Sequence, residues 1–323
     1  VPLGRIELLR EMDAAGVSRA VLVPPGFDLD RNDLILEAAQ LHPDRFAAMG
    51  RLDTMAPGAR DRVATWRDRP GMLGLRFSFN RPSLIPALTE GRVDWLWEEA
   101  EKAGVPVMVL VPHALVRLMD QIAERHPGLK LALCHLGLPT EKQDEEAFRD
   151  FDQLLLIARR PNVTVKASGL PSYTTSEYPF RCLHPYLRRV YDAFGPRRIF
   201  WGTDFSRLSC TYRQAVTMFT EEIPWLTTDD KEWIMGRGLC EWLDEAASRR
   251  KSFWQIDMRL LPRPLNRGDF PRHKTRLLQD ESACQRTFRT ELPVAPETSE
   301  AQGLATQDHR SLFPRHSPGR RSI

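Results

Sequence analysis

Four times in the first 200 residues an amphipathic stretch runs into a proline, and a short apolar run follows. The junctions are Leu41-His42-Pro43, Arg125-His126-Pro127, Arg159-Arg160-Pro161 and Phe194-Gly195-Pro196. Proline cannot continue a helix, and it biases the residue before it toward extended geometry. Pro127, Pro161 and Pro196 are 34 and 35 residues apart, the length of about one strand-plus-helix unit. Strict alternation of strand and helix restricts the chain to a parallel sheet, either closed into a barrel or open and doubly wound.

The apolar runs that read as strands are residues 20–23, 46–50, 72–77, 106–111, 131–135, 163–168 and 199–204. They are continuous rather than alternating, which suits parallel strands covered on both faces. Helical patterns lie between them, as at residues 93–103 and 114–125. An amphipathic stretch at residues 5–15 precedes the first strand and needs a strand before it. Eight units close a barrel. The expected fold is therefore α/β, a (β/α)8 TIM-barrel-like domain over residues 1–248 whose first strand is missing. Residues 249–323 are rich in Pro, Arg and Ser without a sustained period, and read as a disordered or irregular tail.

A chain of 323 residues, 42% hydrophobic and 28% charged, can bury one large core. No apolar run approaches the roughly 18 residues that span a bilayer, so no membrane association is expected. The five cysteines are scattered without a C-x-x-C pair, which suggests reduced thiols and a cytoplasmic protein. From Lys251 onward 13 basic residues face 8 acidic ones, so the basic excess sits in the tail. The near-neutral body argues against a nucleic-acid partner.

In a βα barrel the reacting groups sit at the carboxyl ends of strands. His135 follows the run at 131–134 and precedes Gly137. Asp204 follows Ile199-Phe200-Trp201-Gly202-Thr203, where a carboxylate is costly to bury without a partner. It is either a general base, a metal ligand or the cap of the following helix. Arg207 can pair with it or with an anionic substrate. Arg76 ends an apolar strand and Arg81 follows in the loop. Two guanidinium forks suit a carboxylated substrate, although Arg76 alone also suits a buried ion pair. Lys166 and Ser168 share one strand face and are further substrate-binding candidates. His113 comes after Pro112 and reads equally as a site residue or a helix start. His42, His126 and His184 end no strand and read as structural. There is no G-x-S-x-G, G-x-x-x-x-G-K-[ST] or G-x-G-x-x-G motif, which lowers serine-hydrolase, nucleotidase and dehydrogenase readings. The Trp95 and Trp97 segment reads as a helix face packing on the barrel, and such faces are candidates for a homo-oligomer contact.

Gly-Val-Ser-Arg-Ala-Val-Leu-Val-Pro at residues 16–24, His135 in Leu-Cys-His-Leu-Gly, Gly202-Thr203-Asp204-Phe205 and Ile234-Met235-Gly236-Arg237 together resemble the amidohydrolase-related family. The resemblance covers about residues 5–247. That family includes decarboxylases, hydratases and lactonases of small aromatic-derived acids. Gly74-Leu75-Arg76-Phe77-Ser78-Phe79 followed by Arg81 is similar to its dicarboxylate-lactone hydrolase branch. The resemblance implies that Asp204 activates water, that His135 polarises or orients the scissile carbonyl, and that Arg76 with Arg81 binds the acid. The substrate is then a small carboxylated lactone, ester or amide. The family's first strand carries a His-x-His pair, which this sequence does not contain. Metal-binding members place a histidine at the end of the fifth strand, where this chain has Val109-Leu110-Val111. Metal-free hydrolysis is thus the expectation. The alternatives are a decarboxylase or hydratase using zinc or manganese, with His135 and Asp204 among the ligands, and a non-catalytic barrel scaffold.

Overall fold

The computed structural model describes residues 4–24, 31–80 and 84–243. Arg81 and the tail from residue 249 lie outside them. Seven strands form one parallel sheet in chain order: β1 (Ala20–Leu22), β2 (Phe46–Gly50), β3 (Met72–Ser78), β4 (Val107–Leu110), β5 (Leu131–Leu133), β6 (Val163–Ser168) and β7 (Ile199–Gly202). The register is continuous from Ala20 opposite Phe46 to Ser168 opposite Gly202, with one irregularity at Ala48–Met49. Adding every strand on the same side of its predecessor is the barrel order. The helix Arg5–Ala15 packs against Tyr212–Thr220, so the helices bring the two ends of the strand order together. Among the described residues β1 and β7 are not paired with each other, so the seven strands form a curled sheet that is open between them.

The strands are apolar throughout because both faces are buried. Val107, Val109, Leu131, Leu133, Val163 and Val165 point outward and pack under the helices. Met49, Met108, Leu110, Ala132, Cys134 and Phe200 point inward and form a separate cluster with Trp242 and Leu243. The last described helix, Gly238–Leu243, crosses the amino-terminal end of the strands. A Cβ on Gly238 would meet the Arg197 carbonyl before β7 at 2.7 Å, and the Leu243 carbonyl accepts from Arg67 before β3 at 3.5 Å. That end is plugged, which leaves the carboxyl ends of the strands as the reactive face. Leu133 is fully buried. Leu133→Ala should destabilise the chain by about 2–5 kcal/mol, read as a lowered denaturation midpoint. An unchanged midpoint would contradict the packed outer layer.

Trp97 is fully buried in the main core and Trp95 packs half-buried against it. Trp97 is therefore internal, while Trp95 keeps part of its surface exposed. His42 and His126 cap the carboxyl ends of helices Asp33–Leu41 and Val116–Arg125, as their His-Pro pairs predicted. No helix among the described residues is long and apolar enough to cross a membrane.

Candidate active site

Strands β5 and β7 stop at Leu133 and Gly202, short of the residues expected to end them. The reason is local. His135 and Leu136 both have φ 53° and Gly137 has φ 68°, three successive left-handed residues, and Asp204 has φ 49°. Left-handed backbone costs a non-glycine residue about 1–2 kcal/mol, and it persists only where the surroundings impose it. Here they do. The Nε2–H of buried His113 donates to the Leu136 carbonyl at 2.9 Å, and the Leu138 amide donates to the His135 carbonyl at 3.0 Å. A Cβ on Gly137 would meet the His113 ring at 2.9 Å. His113 thus lies beneath the His135 turn, packs edge-on to Phe151, and has its Nε2–H committed to backbone.

The left-handed turns swing His135 and Asp204 toward each other, with Nε2 and Oδ2 3.8 Å apart. On its other side, His135 Nδ1 lies 3.1 Å from the Ser168 carbonyl and 2.9 Å from Ser168 Oγ. A carbonyl only accepts, so Nδ1 carries the proton and Nε2 presents a lone pair. Burial holds the His135 pKa well below its ordinary value. The nearby Lys166 and Arg76 charges add to that, while Asp204 opposes it. At neutral pH the ring is an uncharged imidazole facing a carboxylate. Arg207 lies 3.8 Å from Asp204 Oδ2 and donates to the Thr140 carbonyl at 2.6 Å.

Across the site stands a pair of buried arginines. Arg76 donates to the Phe77 carbonyl and, at 3.1 Å, to Ser78 Oγ. Arg51, directly after β2, donates to the same Ser78 Oγ at 3.1 Å. Its backbone is locked to Asn32 by two bonds of 2.7 and 2.8 Å. Arg76 makes no ion pair among the described residues. The structure therefore brings together Arg76, His135, Lys166, Ser168, Asp204 and Arg207 from four strands, β3, β5, β6 and β7, and the turns that follow them. Arg51 was not anticipated, although its signal matches that of Arg76: a charged residue next to an apolar strand.

Two ligands of a metal could come from His135 Nε2 and Asp204. A catalytic zinc takes about three protein ligands, and no group of three His, Cys, Asp or Glu residues comes together among the described residues. Lys166 and Arg76 add positive charge to the same space. The described residues do not by themselves fit a resident divalent cation.

A family model described as Amidohydrolase matches residues 7–237. The 4-sulfomuconolactone hydrolase of Hydrogenophaga intermedia is 26% identical over 207 residues, 62% of this chain and 64% of that protein. An L-fucono-1,5-lactonase of Burkholderia ambifaria is 25% identical over 207 residues, 60% of this chain and 68% of that protein. The chain thus spans just under two thirds of the first relative's length. A crystal structure of an amidohydrolase from Burkholderia multivorans with bound zinc shares the fold with a TM-score of 0.63 at 22% identity, covering 75% of this chain and 88% of that one.

Proposed function

Since this chain belongs to the amidohydrolase family, we propose that its strand-end cluster hydrolyses a small carboxylated lactone, with Asp204 as the base that activates water. The observation that carries this reading is the facing pair of acceptors, His135 Nε2 and Asp204 Oδ2, 3.8 Å apart. Two acceptors that close are both satisfied by one water that donates a hydrogen to each. Such a water is oriented and ready to lose a proton to the carboxylate. The relatives named as a sulfomuconolactone hydrolase and a fuconolactonase support a lactone as substrate.

Arg76 and Arg51, joined through Ser78 Oγ, are placed to hold a substrate carboxylate by charge-assisted hydrogen bonds. Arg81 and Lys166 are further candidates for the same anion. With its proton on Nδ1, His135 has no hydrogen to offer an oxyanion from Nε2. Its role moves from the carbonyl, where the resemblance put it, to the water. Ser168 fixes that tautomer and so acts on the chemistry through His135. Asp204 takes the water's proton as the new carbon–oxygen bond forms, and returns it to the ring oxygen as the ring opens. Arg207 holds the Asp204 carboxylate in place.

The test is turnover of 4-sulfomuconolactone and L-fucono-1,5-lactone by the whole protein, followed by acid release. Failure on both, and on a wider panel of cyclic esters bearing a carboxylate, would sink the reading. The pH profile gives a second check. Neutral His135 is the working form, and its pKa is depressed. Activity should hold as pH falls through 6.5, the ordinary histidine value, and drop only at lower pH, when Nε2 takes a proton. A half-point at or above 6.5 would contradict the buried neutral imidazole. The same depression makes the fold less stable as pH falls below about 6.5, because the unfolded chain then binds a proton that the folded one refuses.

A further inference from the structure

The loop that follows β6 is tied down on both sides of Tyr173. Gln143 Nε2 donates to the Ser172 carbonyl at 3.1 Å, and Ser172 Oγ donates to the Arg207 carbonyl at 2.6 Å. On the other side the Asp144 carboxylate accepts from Thr174 Oγ1 at 2.7 Å, from the Thr175 amide at 3.0 Å and from Thr175 Oγ1 at 2.7 Å. Tyr173 itself is only 1% exposed. The Arg207 guanidinium lies over its ring, 5.7 Å from the centroid, and acts on the phenol as a neighbouring cation and donor, but it falls short of a well-formed hydrogen bond to the oxygen. The phenol oxygen is buried and has no hydrogen-bond partner among the described residues. Burying a hydroxyl unpaired is unfavourable, and the anchored loop cannot swing it out to water. Its charged neighbours include Arg207 and Asp204, and Cys134 beside His135 is close by. The hydroxyl therefore lies among the same charged groups that form the site.

The chemistry lacks one part that this hydroxyl can supply. Water adding to a lactone carbonyl puts negative charge on the carbonyl oxygen, which needs a fixed donor. His135 presents a lone pair, and Asp204 is an acceptor. Resting on the lactone-hydrolase reading, we propose that Tyr173 is a further catalytic residue whose O–H donates a hydrogen bond to the lactone carbonyl oxygen as it becomes an oxyanion. Tyr173 keeps its proton throughout. The water proton goes to Asp204 and then to the ring oxygen, the bond from water oxygen to carbonyl carbon forms, and the bond from that carbon to the ring oxygen breaks. Burial pushes the phenol pKa up to about 12, so the hydroxyl stays a donor across the working pH range.

Tyr173→Phe removes only the hydroxyl. With 4-sulfomuconolactone or L-fucono-1,5-lactone, whichever the wild type turns over, kcat should fall about 10²–10³-fold, the usual loss for one oxyanion donor, with KM little changed. Melting temperature should stay level or rise, because an unpaired buried group has been removed. A cyclic phosphonate analogue of the same lactone, which carries tetrahedral oxyanion charge, should bind the variant about 10²-fold more weakly, while the ring-opened acid binds both proteins equally. An unchanged kcat, or equal phosphonate affinity, in a protein that hydrolyses the lactone would overturn the role of Tyr173 alone. Absence of both turnover and phosphonate binding in the wild type would overturn the lactone reading and this role with it.

Discussion

Asp204→Asn is expected to remove turnover while leaving the fold and substrate binding in place. Asparagine has the same shape and, like aspartate, tolerates the left-handed backbone required there, with φ 49°. What it loses is the ability to take a proton from water. A positioned general base contributes about 10²–10⁴-fold, and kcat should drop by that much. KM should stay close to that of the wild type, because the groups proposed to bind the substrate's acid, Arg76 and Arg51, sit across the site on β3 and after β2. Asp204→Ala is a poorer probe, since it also strains the turn. An Asp204→Asn variant with undiminished kcat would show that water is activated elsewhere.

Arg76→Met should separate charged from neutral substrates. Methionine replaces the apolar stem of the arginine and removes a buried cation, 5% exposed, that makes no ion pair among the described residues. Hydrogen bonds to charged groups contribute about 1.5–3 kcal/mol, equivalent to roughly ten- to more than a hundredfold in affinity. KM for 4-sulfomuconolactone should rise by about that factor, and KM for the uncharged L-fucono-1,5-lactone should change little. An equal rise for both would remove the arginine from carboxylate recognition. The variant carries a second signature. Arg76 is one of the charges that lower the His135 pKa, so its loss should move the acid limb of the pH profile upward.

The strand grammar was legible because the physics behind it is local. Pro127, Pro161 and Pro196 end helices whatever surrounds them, and runs such as Val107-Met108-Val109-Leu110 are apolar on both faces only where both faces are buried. The amphipathic helix Arg5–Ala15 was likewise readable from its own residues. His135 and Asp204 stood out because each directly follows a short apolar strand. Their conformation was not legible: it rests on the bond from His113 to the Leu136 carbonyl and on a carbonyl contact from Ser168, 33 residues away. The same long-range contacts decide which nitrogen of His135 carries the proton, and with it the role that we propose for the ring. Because nothing local shows what lies above it, His113 reads equally as a site residue or a helix start, and it does open the short helix His113–Leu115. Arg51 carried the same local signal as Arg76. Tyr173 carried none, since an unpaired buried hydroxyl is a property of packing, not of pattern.

The most direct test of the central claim is the fate of solvent oxygen. The protein is incubated with 4-sulfomuconolactone or L-fucono-1,5-lactone in water enriched in oxygen-18, and the products are weighed by mass spectrometry against an enzyme-free control. Water activated between His135 and Asp204 and delivered to the lactone carbonyl predicts one heavy oxygen in the newly formed carboxylate, the original ring oxygen retained on the alcohol side, and loss of the label rate in Asp204→Asn. Loss of carbon dioxide, or label in the alcohol instead of the carboxylate, would contradict hydrolysis at the carbonyl.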